Sequence, residues 1–157
     1  MSLGGGGGGG QLQQLAEEIQ AIEEQVEGLE GEIEGLQDEK LEIDEAIEAL
    51  ETLDSGDTVQ VPLGGDAYVR AEVQDIDEII VSLGGGYAAE REQDGAIDTL
   101  ENKKETLDDR IDDLRSEIAE LESESEELEQ KAQQMQQQQM QQQMAQMQGQ
   151  QEPDDDE

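Results

Sequence analysis

The chain of 157 residues carries 44 acidic and only 8 basic side chains, for a formal net charge of −36 at pH 7. This balance argues against nucleic acid and against an anionic membrane surface as partners, because both are bound through Lys and Arg. The sequence has no Cys and no His, which removes thiolate metal sites and Ser-His or Cys-His catalysis. We therefore expect no enzyme activity, no metal and no cofactor.

The acidic excess also predicts an environment of high salt. Such a charge destabilises a folded chain by self-repulsion, whereas the Debye length of about 3 Å at molar salt screens it. The composition favours a cytoplasmic protein of a salt-loving organism, with an acidic scaffold from a mesophile as the alternative. No apolar run approaches the roughly 18 residues of a membrane span, and no secretory signal pattern precedes the first helix.

Residues 1–10 are predicted to form a disordered leader, because the run from Gly4 to Gly10 has too much backbone entropy to order itself. Residues 11–53 then place apolar side chains at alternating spacings of three and four, the pattern of a coiled-coil helix. The members of this ladder are Leu12, Leu15, Ile19, Ile22, Val26, Leu29, Ile33, Leu36, Lys40, Ile43, Ile47 and Leu50.

Residues 54–90 are predicted to form two β-hairpins. The apolar period changes to 2 after the turn at Asp54–Asp57, and Gly64-Gly65 and Gly84–Gly86 supply the hairpin turns. Two such hairpins are marginal alone and their apolar faces and edges need partners, so we expect this segment to be the assembly body of an oligomer. The predicted assembly residues are Val59, Val61, Leu63, Val69, Ala71, Val73, Ile79, Val81, Leu83 and Tyr87.

Residues 91–135 repeat the heptad pattern and predict a second coiled-coil helix. Its ladder consists of Ile97, Leu100, Lys104, Leu107, Ile111, Leu114, Ile118, Leu121, Ser125, Leu128, Ala132 and Met135. Residues 136–157 form a Gln/Met-rich and acidic tail. The tract can extend the helix, since Gln and Met are good helix formers, but the sequence leaves open whether it is helical or disordered, and the last ten residues are expected to be disordered.

An antiparallel pairing in which the numbers of facing residues sum to 147 aligns both ladders over their whole length. Lys40 then faces Leu107 and Lys104 faces Ile43, so the two charged seam residues lie in adjacent layers. A register shifted by one heptad stays open. Both ammonium groups can extend to the acidic flanks of the seam.

Packing is expected to weaken toward the free end of this coiled coil. Leu15 would face Ala132 and Ile22 would face Ser125, which leaves both larger side chains incompletely covered, and flexible Met side chains follow in the tail. This end is therefore predicted to offer an adaptable apolar surface; simple fraying without a function is the alternative. The residues of this predicted surface are Leu12, Leu15, Ile19, Ile22, Leu128, Met135, Met140, Met144 and Met147.

The order helix, hairpin, hairpin, helix resembles the alpha class of prefoldin subunits, a family of archaeal and eukaryotic co-chaperones. The most specific segments lie within Thr58–Glu90. They are VQVPLG at Val59–Gly64, YVRA at Tyr68–Ala71 and IIVSLGGGY at Ile79–Tyr87. The heptads extend the resemblance over residues 11–135, whereas the poly-Gly leader and the Gln/Met tail fall outside it. Two hairpins instead of one indicate the alpha class.

The resemblance implies an α+β fold, mainly α, in which a long antiparallel coiled-coil hairpin carries two central β-hairpins that join an oligomeric β-barrel body. It implies a hexamer with four prefoldin beta subunits and two alpha subunits. Such a hexamer holds unfolded client proteins at its coiled-coil tips without ATP and delivers them to a group II chaperonin. The resemblance thus makes the nine apolar residues of the free end, from Leu12 to Ile22 and from Leu128 to Met147, the predicted client-binding residues. The alternative function is a structural coiled-coil scaffold or tether that binds a folded partner.

Overall fold

The computed structural model describes residues 7–150 and has a mainly helical α+β fold, as the sequence predicts. The chain forms helix α1 (Gly7–Thr52), strands β1 (Thr58–Gly64), β2 (Ala67–Glu72), β3 (Ile79–Gly84) and β4 (Tyr87–Arg91), and helix α2 (Gln93–Gln150). The strands pair into two separate antiparallel sheets, β1 with β2 and β3 with β4. Contacts divide the chain into two units. The paired-helix unit contains residues up to Glu32 and from Leu114 onward, and the strand unit is Ile33–Asp113.

Both heptad ladders are seams of buried side chains. Every ladder position from Leu12 to Leu50 in α1 and from Ile97 to Met135 in α2 is buried or half-buried. The most buried members in the strand unit are Ile33, Ile43, Ile47 and Ile111, and those in the paired-helix unit are Leu15, Ile22 and Leu114. A spacing of three and four keeps these side chains on one face of each helix, which explains the pattern.

Two ion pairs settle the helix register in the strand unit. Lys40 Nζ pairs with Asp108 Oδ1, and Lys104 Nζ pairs with Asp44 Oδ1. Each lysine thus contacts a residue adjacent to the one that the antiparallel pairing predicts, Leu107 or Ile43. A shift of one heptad would separate these groups by about 10 Å along the helix axis, so the predicted register is confirmed here.

The helices are longer than the sequence indicates. Helix α1 begins at Gly7 instead of residue 11, and α2 runs from Gln93 to Gln150 instead of ending near residue 135. Extending a formed helix needs no new nucleus, and the Gln and Met residues of the tail have good helix propensity. The remaining parts of the predicted leader and tail, residues 1–6 and 151–157, lie outside the described residues.

Both hairpin turns have two central residues with positive φ, as in a type I′ turn. These residues are Gly65 (φ 59°) and Asp66 (φ 62°) in the first hairpin and Gly85 (φ 62°) and Gly86 (φ 81°) in the second. The register of each hairpin also shifts by a bulge immediately before the turn. The sequence signals at both turns are confirmed, although Asp66 was not predicted to share the left-handed region.

The side chain of Gln93 joins the two helix ends within the strand unit. Its Nε2 donates hydrogen bonds to the carbonyl oxygens of Leu50 and, at 3.1 Å, Leu53. The carbonyls of a last helical turn have no intrahelical donor, so the first residue of α2 caps the end of α1. This contact brings the start of α2 beside the end of α1, with both hairpins inserted between them.

Candidate functional site

Large apolar side chains are exposed in two groups. We call the first the hairpin surface; it consists of Val61, Leu63, Tyr68, Val69, Ile80, Leu83 and Tyr87. We call the second the methionine stripe; it consists of Met140, Met144 and Met147 on α2. Groups of adjacent exposed apolar residues indicate interaction sites, and the chain offers one such group in each unit.

The first hairpin places its predicted assembly residues side by side. Val59 is opposite Ala71 and Val61 is opposite Val69 in the strand register, so these four side chains share one face of the sheet. Val59 and Ala71 are half-buried, whereas Val61 and Val69 are exposed. Leu63 lies at the bulge and is exposed. Beyond β2, Val73 extends the pairing through hydrogen bonds with Gly56 (2.7 Å) and Asp57 (2.8 Å).

In the second hairpin, one predicted assembly residue faces the chain's own helices. Val81 is only 5% exposed and lies beside Ala46, Leu50 and Leu100 in a groove of about 390 Å³. Its assignment to subunit assembly therefore does not fit its position in this chain, where it packs inside the subunit. Alternation identifies the two faces of a strand but does not tell which face the helices cover.

The opposite face of β3 carries a residue that the sequence analysis missed. Ile80 is 75% exposed and is paired with Glu90 in the strand register. The run Ile79-Ile80-Val81 is apolar on both faces, which is the pattern of a strand covered on both sides. That run was the available signal, and it would have added Ile80 to the predicted assembly surface.

In the paired-helix unit, the expectation of incompletely covered side chains is wrong. Leu15 is 8% and Ile22 is 9% exposed. Leu128, Lys131 and Met135 line the groove at Leu15, so neighbours on both sides of the small Ala132 supply the cover. Long side chains shield apolar surface with their aliphatic stems. The other predicted client-binding residues of the ladders, Leu12, Ile19, Leu128 and Met135, are half-buried.

Two open grooves follow the seam of this unit. The first has a volume of about 250 Å³ and is lined by Leu15, Leu128 and Met135, among others. The second has a volume of about 380 Å³. Ile22 and Val26 form its apolar part, and six glutamates line it as well, namely Glu23, Glu27, Glu30, Glu122, Glu126 and Glu129. The second groove therefore gives an apolar chain access to the seam only between acidic side chains.

The methionine stripe is the most accessible part of the predicted client-binding surface. Met140, Met144 and Met147 follow one another at spacings of four and three, which places them on one face of α2. Their exposures are 64%, 64% and 71%. Of the nine predicted client-binding residues, these three are exposed, whereas the other six are buried or half-buried.

Neither a metal-binding cluster nor a membrane-spanning helix is found in the described part of the chain. Residues 7–150 contain no cluster of three or more Asp and Glu side chains arranged to hold a metal ion. Within the same residues, no helix has the length and apolar character to cross a membrane.

Comparison with known proteins identifies relatives over most of the chain. Residues 22–138 match the family model described as "Prefoldin subunit". The chain is 74% identical over 95 residues to the prefoldin subunit alpha of Haloarcula marismortui and 66% identical over 103 residues to that of Halorubrum lacusprofundi. These matches cover 60% and 66% of this chain and 62% and 66% of the respective relatives. The chain thus matches just under two thirds of the length of these curated relatives.

A solved structure has the same fold. It is the cryo-EM structure of filamentous PFD from Methanocaldococcus jannaschii, with a TM-score of 0.63 and 33% sequence identity. The match covers 72% of this chain and 96% of that one.

Proposed function

Because this chain belongs to the prefoldin family, we propose that it is the alpha subunit of an ATP-independent chaperone, a holdase that binds non-native proteins and delivers them to a group II chaperonin. Non-native chains expose apolar segments of varied shape. Flexible, polarizable Met side chains adapt to such segments better than a rigid surface does. The chemistry of the methionine stripe therefore suits a client surface.

The observation that carries this proposal is the exposure of Met140, Met144 and Met147 on one face of α2. The half-buried Leu12, Ile19, Leu128 and Met135 contribute apolar area at the seam. Leu15 and Ile22 contact a client only where the helices separate, since both are buried in the seam. Apolar burial contributes roughly 25 cal/mol per Å², so a useful affinity requires several subunits to hold one client together.

The test replaces the three methionines with glutamine. Gln keeps the helix propensity of Met and removes the apolar surface. We expect M140Q/M144Q/M147Q to suppress the aggregation of an unrelated denatured protein, followed by light scattering in molar KCl, several-fold less well than the parent assembly does.

Leu41→Gln is the matched control, because Leu41 is an equally exposed apolar residue (62%) on the other helix and outside the seam. This variant should protect the client as the parent does. Equal protection by the parent and by the triple variant would contradict the proposal and place the client elsewhere on the assembly. Failure of the parent itself to suppress aggregation would favour the scaffold function.

We further propose that the hairpin surface joins this subunit to prefoldin beta subunits, in a hexamer of two alpha and four beta subunits with a β-barrel body. Both sheets have only two strands, and isolated hairpins gain stability from further strands. The exposed Leu63, Tyr68, Val69, Ile80 and Tyr87 supply apolar contacts for such neighbours.

Ile80→Lys tests this assembly more cleanly than a change at the buried Val81. A lysine at an exposed position leaves the subunit folded, but it becomes an unpaired charge where a partner covers it. We expect the variant, purified with its beta subunits, to lose the hexamer mass in native mass spectrometry and to retain its helical circular dichroism. Leu41→Lys is the control and should assemble. A hexamer of unchanged mass and stability with Ile80→Lys would contradict the assignment.

We propose a cytoplasmic location, with no nucleic-acid or membrane partner. The net charge of −36 supports both parts of this proposal. It repels phosphate groups, and it suits a cell interior of high salt, where the repulsion within the chain is screened.

A further inference from the structure

We propose that the methionine stripe is also an oxidation site, through which a hydroperoxide reversibly weakens client binding. This inference rests on the proposed holdase function, because it assigns a regulation to the same surface. The methionine stripe has three properties that favour such a site. Its side chains are accessible to a peroxide, the chain has no more reactive side chain that would compete for the peroxide, and the stripe would contact clients through apolar surface.

The oxidisable chemistry of the chain is concentrated at this place. The sequence has no Cys, no His and no Trp, and it has five Met residues. Four of these lie within residues 7–150. Met140, Met144 and Met147 are 64–71% exposed, whereas Met135 is half-buried in the groove beside Leu15. A peroxide in solution therefore meets thioether sulfur on the stripe before any more reactive side chain.

The chemical step is a transfer of one oxygen atom. The thioether sulfur of Met attacks the distal oxygen of the hydroperoxide, the O–O bond breaks and an S–O bond forms. Sulfur loses two electrons and becomes the sulfoxide, while the hydroperoxide is reduced to water or an alcohol after proton transfer. The reaction is reversible only through methionine sulfoxide reductases, which act on the two sulfoxide epimers separately.

Oxidation at the stripe changes the surface that the client would contact. A sulfoxide is polar and a strong hydrogen-bond acceptor, so it replaces an apolar contact by a hydrated group. Because the three residues share one face of α2, their oxidation converts the whole stripe together. The helix backbone and the buried seam do not contain these sulfur atoms, so oxidation changes binding without unfolding the subunit.

The first measurement identifies which Met residues gain an oxygen atom. Trypsin cleavage after Lys131 releases a single peptide of residues 132–157, which holds Met135, Met140, Met144 and Met147. Fragmentation of this peptide after treatment of the purified assembly with hydrogen peroxide assigns each added oxygen. We expect the three stripe residues to react several-fold faster than Met135. Equal oxidation rates at all four Met residues, or faster oxidation of Met135, would contradict the assignment of the methionine stripe as the oxidation site.

The second measurement follows function in the same samples. Peroxide treatment should remove most of the parent's protection of a denatured client, with unchanged far-ultraviolet circular dichroism, and treatment with both sulfoxide reductases should restore it. The matched variant M140L/M144L/M147L keeps an apolar stripe without sulfur. The protection that this variant gives, whatever its level relative to the parent, should be the same before and after peroxide.

The outcomes separate this inference from the holdase function itself. An untreated parent without protective activity contradicts the holdase function. Full protection by a parent whose stripe is completely oxidised contradicts only the regulation. Equal loss of protection in the leucine variant after peroxide also contradicts it, since the loss would then arise from another group.

Discussion

Glycine has opposite effects at different positions of this chain. Gly28, Gly31 and Gly35 lie on the exposed side of α1, and a Cβ atom at any of them would meet nothing within 4 Å. Gly65, at a hairpin turn, has the same open space but a φ of +59°. A helical Gly costs about 1 kcal/mol relative to Ala, whereas a left-handed backbone disfavours every residue with a Cβ.

Replacing the three helical glycines with alanine should therefore stabilise the protein. We expect G28A/G31A/G35A to raise the free energy of unfolding by about 2–3 kcal/mol, measured by denaturant titration in molar KCl. Gly65→Ala is the contrasting variant and should lower it by about 1 kcal/mol or more. Unchanged stability in the triple variant would show that α1 is not helical around these residues in solution.

At the scale of the helices, two lysines occupy positions that the seam otherwise gives to apolar residues. Lys40 pairs with Asp108 and Lys104 pairs with Asp44 across the two helices. A polar residue at a seam position selects one register at some cost in stability. The hydrogen bond with Asp44, together with the negative charges of Asp44, Asp108 and Glu101, raises the pKa of Lys104 above its usual 10.5.

This shift predicts how stability depends on pH. A raised lysine pKa contributes stability that is complete below about pH 10.5 and is lost as the pH rises through the higher value of the folded state. In thermal unfolding at molar KCl, Asp44→Asn should reduce this loss relative to the parent. Identical alkaline profiles for parent and variant would show that the pair does not form in solution.

Charge dominates the behaviour of the molecule as a whole. Forty-four acidic side chains against eight basic ones leave few opportunities for ion pairing, and the helices present most of this charge to water. The relatives described above come from halophilic archaea. Their origin agrees with the high-salt environment that the composition predicts. Screening by salt is the physical condition under which such a chain folds.

We therefore expect salt to control both helicity and assembly. The Debye length rises from about 3 Å at 1 M salt to about 30 Å at 0.01 M, so dialysis to low ionic strength should reduce the helical circular dichroism and dissociate the oligomer. Concentrated KCl should restore both. Acidification toward pH 4 at low salt is an informative comparison, since protonated carboxylates repel less. A signal that is independent of salt would contradict this account.

The local sequence pattern was sufficient to predict the helices, the hairpins and the buried seam. The heptad spacing placed every ladder residue from Leu12 to Met135 at a position that is buried or half-buried, because period and helix geometry together determine one face. The glycine turns fixed both hairpins in the same way. Lys40 and Lys104 favoured an antiparallel pairing over a parallel one, but only the ion pairs that they form with Asp108 and Asp44 decided between registers one heptad apart.

Which surfaces are exposed depended on how the helices and strands pack against one another. Val81 and Ile80 are adjacent apolar residues of one strand, yet Val81 is buried and Ile80 is exposed, because the helices cover one face of β3 and leave the other open. Leu15 and Ile22 are buried although small residues face them, because neighbours on both sides supply the cover. The sequence by itself determined which residues share a face; only the tertiary structure decided which faces are covered, since burial depends on what packs against them.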